Sequence, residues 1–351
     1  MLPSTAEFRH NPVPHMAFRA TTIAASLCRQ LMVLSAVAIL VFLILRLLPL
    51  DPGAMLIPPN GSVAEQEKIR QALGLDQPLP QQFLIWIQHL LHGDLGRSIQ
   101  SGEAVTGLLQ QAFPVTVQLV VLALLMGITA GSLSGILAFR YRFTLVRNAL
   151  EVTNAFALSV PEFLWGLLLM LVFGIGFRVL PFFGQIAPQF TVEQHTGFLL
   201  IDTLINGDTG AFADVFAHYF LPALALALAI APTLMRILYS SLNQIYASEF
   251  IRSARLRGLS ERRLLLRHGL RNALLPALNL MSVQAGMLIG GTLLIEKIYG
   301  LQGIGYLMID AINNQDLPVI QGIALLYGFC VLLINQTTEW LQRRLDPRAR
   351  P

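Results

Sequence analysis

Pro114-Val115-Thr116-Val117-Gln118-Leu119-Val120-Val121-Leu122-Ala123-Leu124-Leu125 opens a run that reaches Phe139 without a single charged side chain. A helix needs about 20 mostly apolar residues to cross a hydrocarbon core of about 30 Å, and this run supplies them. The rest of the chain agrees. Of its 351 residues, 54% are hydrophobic and 13% charged, where soluble domains carry about 25% charged residues. That much apolar surface does not fit inside one aqueous core.

Five more stretches read as spans: Leu27 to Leu50, Ala149 to Phe177, Tyr219 to Tyr239, Ala273 to Ile295 and Val319 to Leu341. The first contains a 15-residue uncharged block from Leu31 to Leu45. A cleaved signal peptide is the alternative there, but no small-x-small cleavage site follows. Residues 1–26 read as a polar tail whose role the sequence leaves open.

Orientation follows from the cations. With the N-terminus inside, the inner segments hold seventeen Lys and Arg. The outer ones hold five: Lys68, Arg70, Arg97, Arg178 and Lys297. The excess marks the inner side and puts both termini there. Segments 51–113, 178–218 and 296–318 are then outer, and 240–271 and 342–351 inner.

The outer segment 51–113 is expected to hold two short helices. Ser62 and Glu65 form a capping box for one that stops at Gly74. The other runs from Gln81 to His92, with Phe83, Ile87, Leu90 and Leu91 on one side, and stops at Gly93. The inner segment reads as helix, glycine hinge, helix. Leu242 to Arg257 ends at Gly258 in a left-handed cap, and Ser260 caps Glu261 to Arg271. Composition alone leaves two readings of it: a knob that inserts into another protein, or a loop whose arginines only fix topology.

Enzyme chemistry finds no footing. Neither Lys68 nor Lys297 stands in Gly-x-x-x-x-Gly-Lys-Ser/Thr, the loop that cradles phosphates. No His-Glu-x-x-His or Gly-x-Ser-x-Gly is present, so no catalytic residue and no metal site is assigned. Cys28 and Cys330 form no disulfide framework or metal spacing. Charges within spans are costly and point to function. Glu162, after Pro161, would lie about 20 Å deep in a straight helix at about 1.5 Å per residue. It reads either as lining a translocation path or as a partner of Arg236 or of a freed N–H. Gln284 and Gln321 are weaker path candidates, and Asn335 is a weaker polar position. Gly286-x-x-x-Gly290 with Gly291 reads as a close-packing face.

A set of motifs carries a family resemblance. It comprises Leu73-Gly74-Leu75-Asp76-Gln77-Pro78-Leu79, Gly93-Asp94-Leu95-Gly96-Arg97-Ser98, Pro114-Val115-Thr116 and Leu221-Pro222-Ala223-Leu224-Ala225-Leu226. Further along stand Arg252-Ser253-Ala254-Arg255-Leu256-Arg257-Gly258-Leu259-Ser260, Arg271-Asn272-Ala273-Leu274-Leu275-Pro276 and Leu345-Asp346-Pro347-Arg348. In this order and spacing the chain resembles the first of the two permease subunits of peptide/nickel-class ABC importers, from Leu27 to about Arg350.

The resemblance implies an all-α membrane protein of six transmembrane helices. A small helical periplasmic domain lies between the first two, and a cytoplasmic coupling-helix loop lies between the fourth and fifth. It implies a bacterial inner membrane location and four kinds of neighbour: a second homologous permease, two ATPase subunits, a periplasmic substrate-binding protein and the bilayer. ATP and Mg would sit on the ATPases, with no cofactor on this chain. It assigns Glu249, Arg252, Ala254, Arg255, Gly258 and Leu259 to the ATPase-coupling loop, with Ala254 allowing close approach. The alternative is a stand-alone secondary transporter; a membrane enzyme is a third reading. Three departures concern the substrate: Leu50 in Pro49-Leu50-Asp51-Pro52, the run Gly300-Leu301-Gln302-Gly303-Ile304-Gly305, and Glu162 where a small hydroxyl residue is usual. A carboxylate there favours a cationic substrate.

Overall fold

The computed structural model describes residues 28–30, 32–44 and 77–345. Among them all regular structure is helical, apart from a lone antiparallel bridge between Arg97 and Ala104. In chain order the helices are α1 (Cys28–Ile44), α2 (Leu79–Leu91), α3 (Val105–Arg140), α4 (Leu145–Ser159) and α5 (Glu162–Leu169). There follow α6 (Leu199–Ile205), α7 (Thr209–Tyr246), α8 (Glu249–Leu256), α9 (Glu261–Arg263), α10 (Leu270–Tyr299), α11 (Ile304–Asn313) and α12 (Leu317–Leu345). Wide π turns, Met170–Gly176 and Leu264–Gly269, extend α5 and join α9 to α10.

Among the described residues, four helical runs are long and apolar enough to cross a membrane: α3, α7, the run Glu261–Tyr299 and α12. A fifth arises if α4 and the Glu162–Gly176 limb count as one. That limb departs from the expected straight span Ala149 to Phe177, because the two halves meet at 100°. Pro161 is the cause. It pushes the preceding residue out of the helical region, and Val160 lies extended at φ −105°, ψ 124°. Glu162 therefore sits at an elbow, as the first residue of α5, and the straight-helix depth does not apply to it. The expected first span overlaps α1, but its ends lie outside the described residues, as does the Ser62–Glu65 capping box.

α7 is the shaft of the fold. Its most apolar window is 67% buried, against 28–33% for the other three runs. α3 and the run Glu261–Tyr299 pack on α7, whereas α12 packs on α10, α11 and α3, and the remaining faces are left for lipid or other chains. α3 packs along α7 through Gly127, Gly131 and Gly135, spaced one turn apart. A Cβ on Gly131 would stand 2.7 Å from the Ala231 carbonyl oxygen, and one on Gly127 3.0 Å from Ile230 Cβ. Close approach of backbones is how helices gain van der Waals contact in lipid. The sequence reading placed this role on Gly286, Gly290 and Gly291, of which Gly291 alone is tightly packed, against the Glu162 carboxyl. A Cβ on Gly290 meets nothing within 4 Å, and one on Gly286 reaches only Val331 at 3.8 Å.

The helices also overrun their expected limits. α3 starts at Val105 rather than Pro114, which lies inside it. Pro222 and Pro232 lie inside α7. Val105, Leu109, Ile304, Ala311, Val319 and Ile323 form a second core. α2 closes over α1, with Phe83 and Trp86 within 5.3 and 5.7 Å of the Phe42 ring. Its half-buried side carries Phe83, Trp86, Ile87 and Leu90; Leu91, expected there, is 81% exposed.

Candidate functional site

The inner loop begins where α7 ends at Tyr246. The expected helix Leu242 to Arg257 is broken at Ala247 and Ser248, and α8 starts anew at Glu249. α8 buries two side chains, Ile251 and Ala254, against Leu264, Ile245, Tyr246 and Leu259. Ala254 packs inward and is 7% exposed. Leu259 likewise joins this small core. Gly258 takes φ +80° with open space around it, so the backbone angle, rather than crowding, calls for glycine. Ser260 occupies the N-cap of α9 as expected, but its hydroxyl makes no capping bond.

The loop's charges face outward. Glu249 and Arg252 pair at 3.5 Å, both largely exposed. Arg255 Nε donates to Glu261 Oε1 at 2.6 Å, and this hydrogen bond pushes the guanidinium pKa further up. Between the charges stand Phe250 and Leu256, 52% and 83% exposed. Sequence reasoning passed over these two; the signal was an apolar residue on the polar side of an amphipathic helix. The result is a short helix held on its inner side by a compact core, with a mixed apolar and charged outer face. Such a surface can seat in a groove of another protein and carry rigid-body motion.

Within the spans, the Glu162 carboxyl lies against Gly291, where any Cβ would collide with it. Glu162 is half-buried, and Arg236 is exposed. No ion pair joins them among the described residues. Gln284 and Gln321 are half-buried, and no hydrogen bond links either of them to Glu162 among the described residues. No hydrogen bond or ion pair joins the three candidates to one another among the described residues. Ser282 and Asn335 pair at 3.0 Å across α10 and α12.

A buried polar centre that the sequence reading missed lies at the C-terminal end of α10. Glu296 is fully buried. It accepts from Thr116 Oγ1 at 2.7 Å and from the Tyr306 N–H at 3.0 Å. Thr116 Oγ1 in turn accepts from the Ile304 N–H at 2.7 Å. A carboxyl from α10 and a hydroxyl from α3 thus satisfy the open N-terminus of α11. Gly303 and Gly305 leave room for them, since a Cβ at either would stand within 3.0 Å of the Glu296 carboxyl. The run Gly300-Leu301-Gln302-Gly303-Ile304-Gly305 therefore serves this centre. Glu296 was read as the first residue of an outer loop, one position past the expected span end.

Two further anchors tie down the outer loops. Ser98 Oγ donates to Asp316 Oδ2 at 2.5 Å, and both are buried. This fixes the Gly93-Asp94-Leu95-Gly96-Arg97-Ser98 motif to the start of α12. Asp202, also buried, accepts from the Thr196 N–H at 2.8 Å, the Thr196 hydroxyl at 2.7 Å and the Gly197 N–H at 3.1 Å. Burial opposes ionisation of Asp202, but these hydrogen bonds outweigh it and hold its carboxyl below the usual carboxylate range.

Comparison with known proteins accounts for this arrangement. Residues 123–351 match the family model of binding-protein-dependent transport system inner membrane components, and residues 21–120 match the N-terminal model of the same components. The chain is 34% identical, over 90% of its length and 94% of the relative's, to the di/tripeptide transport system permease protein DppB of Pseudomonas aeruginosa. It is 32% identical to the dipeptide permease DppB of Escherichia coli, over 90% of this chain and 94% of that one. It is 34% identical, with the same coverage of each chain, to the glutathione permease GsiC of Salmonella choleraesuis. Among solved structures, a chain of the inward-facing MetNI methionine ABC transporter superposes with a TM-score of 0.51 at 15% identity, covering 68% of this chain and 96% of that one. That likeness shows a shared fold. The chain belongs to the family of binding-protein-dependent transport system inner membrane components.

Proposed function

We propose that this chain is the first of two permease subunits of an ATP-driven importer of peptides or similar small solutes. The observation that carries the reading is the 32–34% identity, across 90% of the chain, to permeases whose names specify dipeptides, di/tripeptides and glutathione. All three are short peptides. Family membership makes the chain a multi-pass inner membrane transport subunit that works with an ATPase and a substrate-binding protein, which sets aside a stand-alone secondary transporter.

In this reading a second homologous permease supplies the other half of the pathway. Two ATPase subunits bind ATP and Mg, and a periplasmic protein delivers the substrate. The chain crosses the membrane six times, counting α1 and the bent α4–α5 limb, with both termini cytoplasmic. Glu249, Arg252, Arg255 and the exposed Phe250 and Leu256 meet the ATPase, while Gly258 sets the angle of the knob. Glu162, at its elbow, lines the passage, with Gln284 and Gln321 as further path residues. ATP binding closes the ATPase dimer, the knob moves with it, and the passage turns from one side to the other.

The test is reconstitution of the full assembly in proteoliposomes, with labelled dipeptide delivered by the binding protein. Gly258→Pro removes both the left-handed turn and the N–H that donates to the Arg255 carbonyl. Membrane insertion should persist while peptide-stimulated ATP hydrolysis is lost. Uptake that continues without the ATPase subunits would sink the proposal.

A further inference from the structure

On the outer side, between the first turns of α3, the segment before α6 and the start of α11, lies a recess of about 660 Å³. Ligand sites span about 300–1,000 Å³. Its polar lining is mostly of one kind: the carboxamides of Gln110, Gln111, Gln185, Gln194 and Gln302. Among the described residues no charged side chain lines it. Gln185 is committed, since its Oε1 accepts from the Tyr219 hydroxyl at 3.2 Å. The other four carboxamides make no hydrogen bond to another described residue.

The base of the recess is neutralised as well. Gly303 and Tyr306, which line it, belong to the Glu296 centre. The Ile304 and Tyr306 N–H groups are occupied by Thr116 and Glu296, so the α11 terminus offers no free positive end there. What remains is a concave, uncharged surface in which each amide is both donor and acceptor.

The geometry points to a contact station for the main chain of a di- or tripeptide on the outer side of the permease. A peptide group carries one donor and one acceptor, which a carboxamide matches. An uncharged lining holds the backbone without selecting among acidic, basic and neutral side chains. This rests on the peptide reading above. The rival occupant is a loop of the binding protein, which would use the same amides for docking.

The experiment uses the complete transporter with its binding protein in lipid nanodiscs or proteoliposomes. Three labelled dipeptides are compared: neutral, Lys-containing and Glu-containing. Replacing Gln111 and Gln302 together by Leu removes hydrogen bonds alone, and uptake of all three should fall by about ten-fold while binding-protein affinity for the complex stays constant. Gln111→Glu places a charge in the recess, and the ratio of Lys-peptide to Glu-peptide uptake should rise by about ten-fold. Gln111 is exposed, so this variant keeps the fold. An equal loss for all three peptides in Gln111→Glu, or weakened binding-protein docking in either variant, overturns the proposal. A wild-type complex that imports none of the peptides instead overturns the peptide reading, and this inference with it.

Discussion

The Thr116 hydroxyl donates to Glu296 Oε1 at 2.7 Å and accepts from the Ile304 N–H at the same distance. One hydroxyl therefore joins α3, α10 and α11. Thr116→Val keeps the shape and removes both bonds, leaving a buried N–H and a buried carboxyl oxygen short of partners. The cost is about 1–3 kcal/mol per unsatisfied group. Thermal unfolding of the purified protein in detergent should show a clear loss for Thr116→Val and nearly none for Thr116→Ser.

The α3–α7 seam separates two glycines that look alike in sequence. Gly131→Ala drives a methyl group to 2.7 Å from the Ala231 carbonyl oxygen and 2.9 Å from Leu234 Cβ. Overpacking of this kind costs about 1–3 kcal/mol. Gly290→Ala meets open space and should leave the unfolding midpoint unchanged or slightly raised. Equal effects of the two substitutions would contradict the seam.

Asp202 should give the outer loop a pH dependence of definite sign. Its carboxyl is held below its ordinary range by the Thr196 and Gly197 bonds. A depressed carboxylate contributes stability in full above the unfolded pKa of about 3.9, and that contribution is lost as pH falls through the lower folded value. Asp202→Asn should therefore destabilise by a constant amount from neutral pH down to about pH 5, with the gap to wild type closing below about pH 4. Unfolding midpoints of the two proteins along a pH series check this; a gap that widens with acid would be the wrong sign.

Inside and outside of α8 should respond differently. Ile251 is fully buried against Leu264, and Ile251→Ala removes about 2–5 kcal/mol of packing, enough to release the knob from its seat. Leu256 is 83% exposed, and Leu256→Ser should leave the unfolding midpoint in place while weakening co-purification of the ATPase subunit. A Leu256→Ser protein that retains its ATPase at wild-type yield would remove this residue from the contact.

Spans were legible where hydropathy alone decides. The charge-free run from Pro114 lies within α3, and the Gly258 turn appears with the φ expected of it. What escaped depended on partners distant in sequence. Glu296 looks like a loop acid until Thr116, 180 positions earlier, is placed beside it. Gly127, Gly131 and Gly135 look no different from Gly286 and Gly290 until α7 is laid against them. Pro114 was read as the start of the span because the charge-free run was counted from there, yet α3 runs through it from Val105. Ala254 carries no sequence signal of its burial, which depends on Leu264, ten positions on.

α7 is a single helix from Thr209 to Tyr246, 38 residues long, or about 57 Å at about 1.5 Å per residue. The knob joins one end directly, and Asp208 caps the other by accepting from the Ala211 N–H at 2.9 Å. A rod of that length is a mechanical arm. Tilting it by about 5° about the end that carries the knob sweeps the other end through about 5 Å, close to one helical turn. If α7 tilts as one body, small strokes at the end that carries the knob are thereby magnified at its other end.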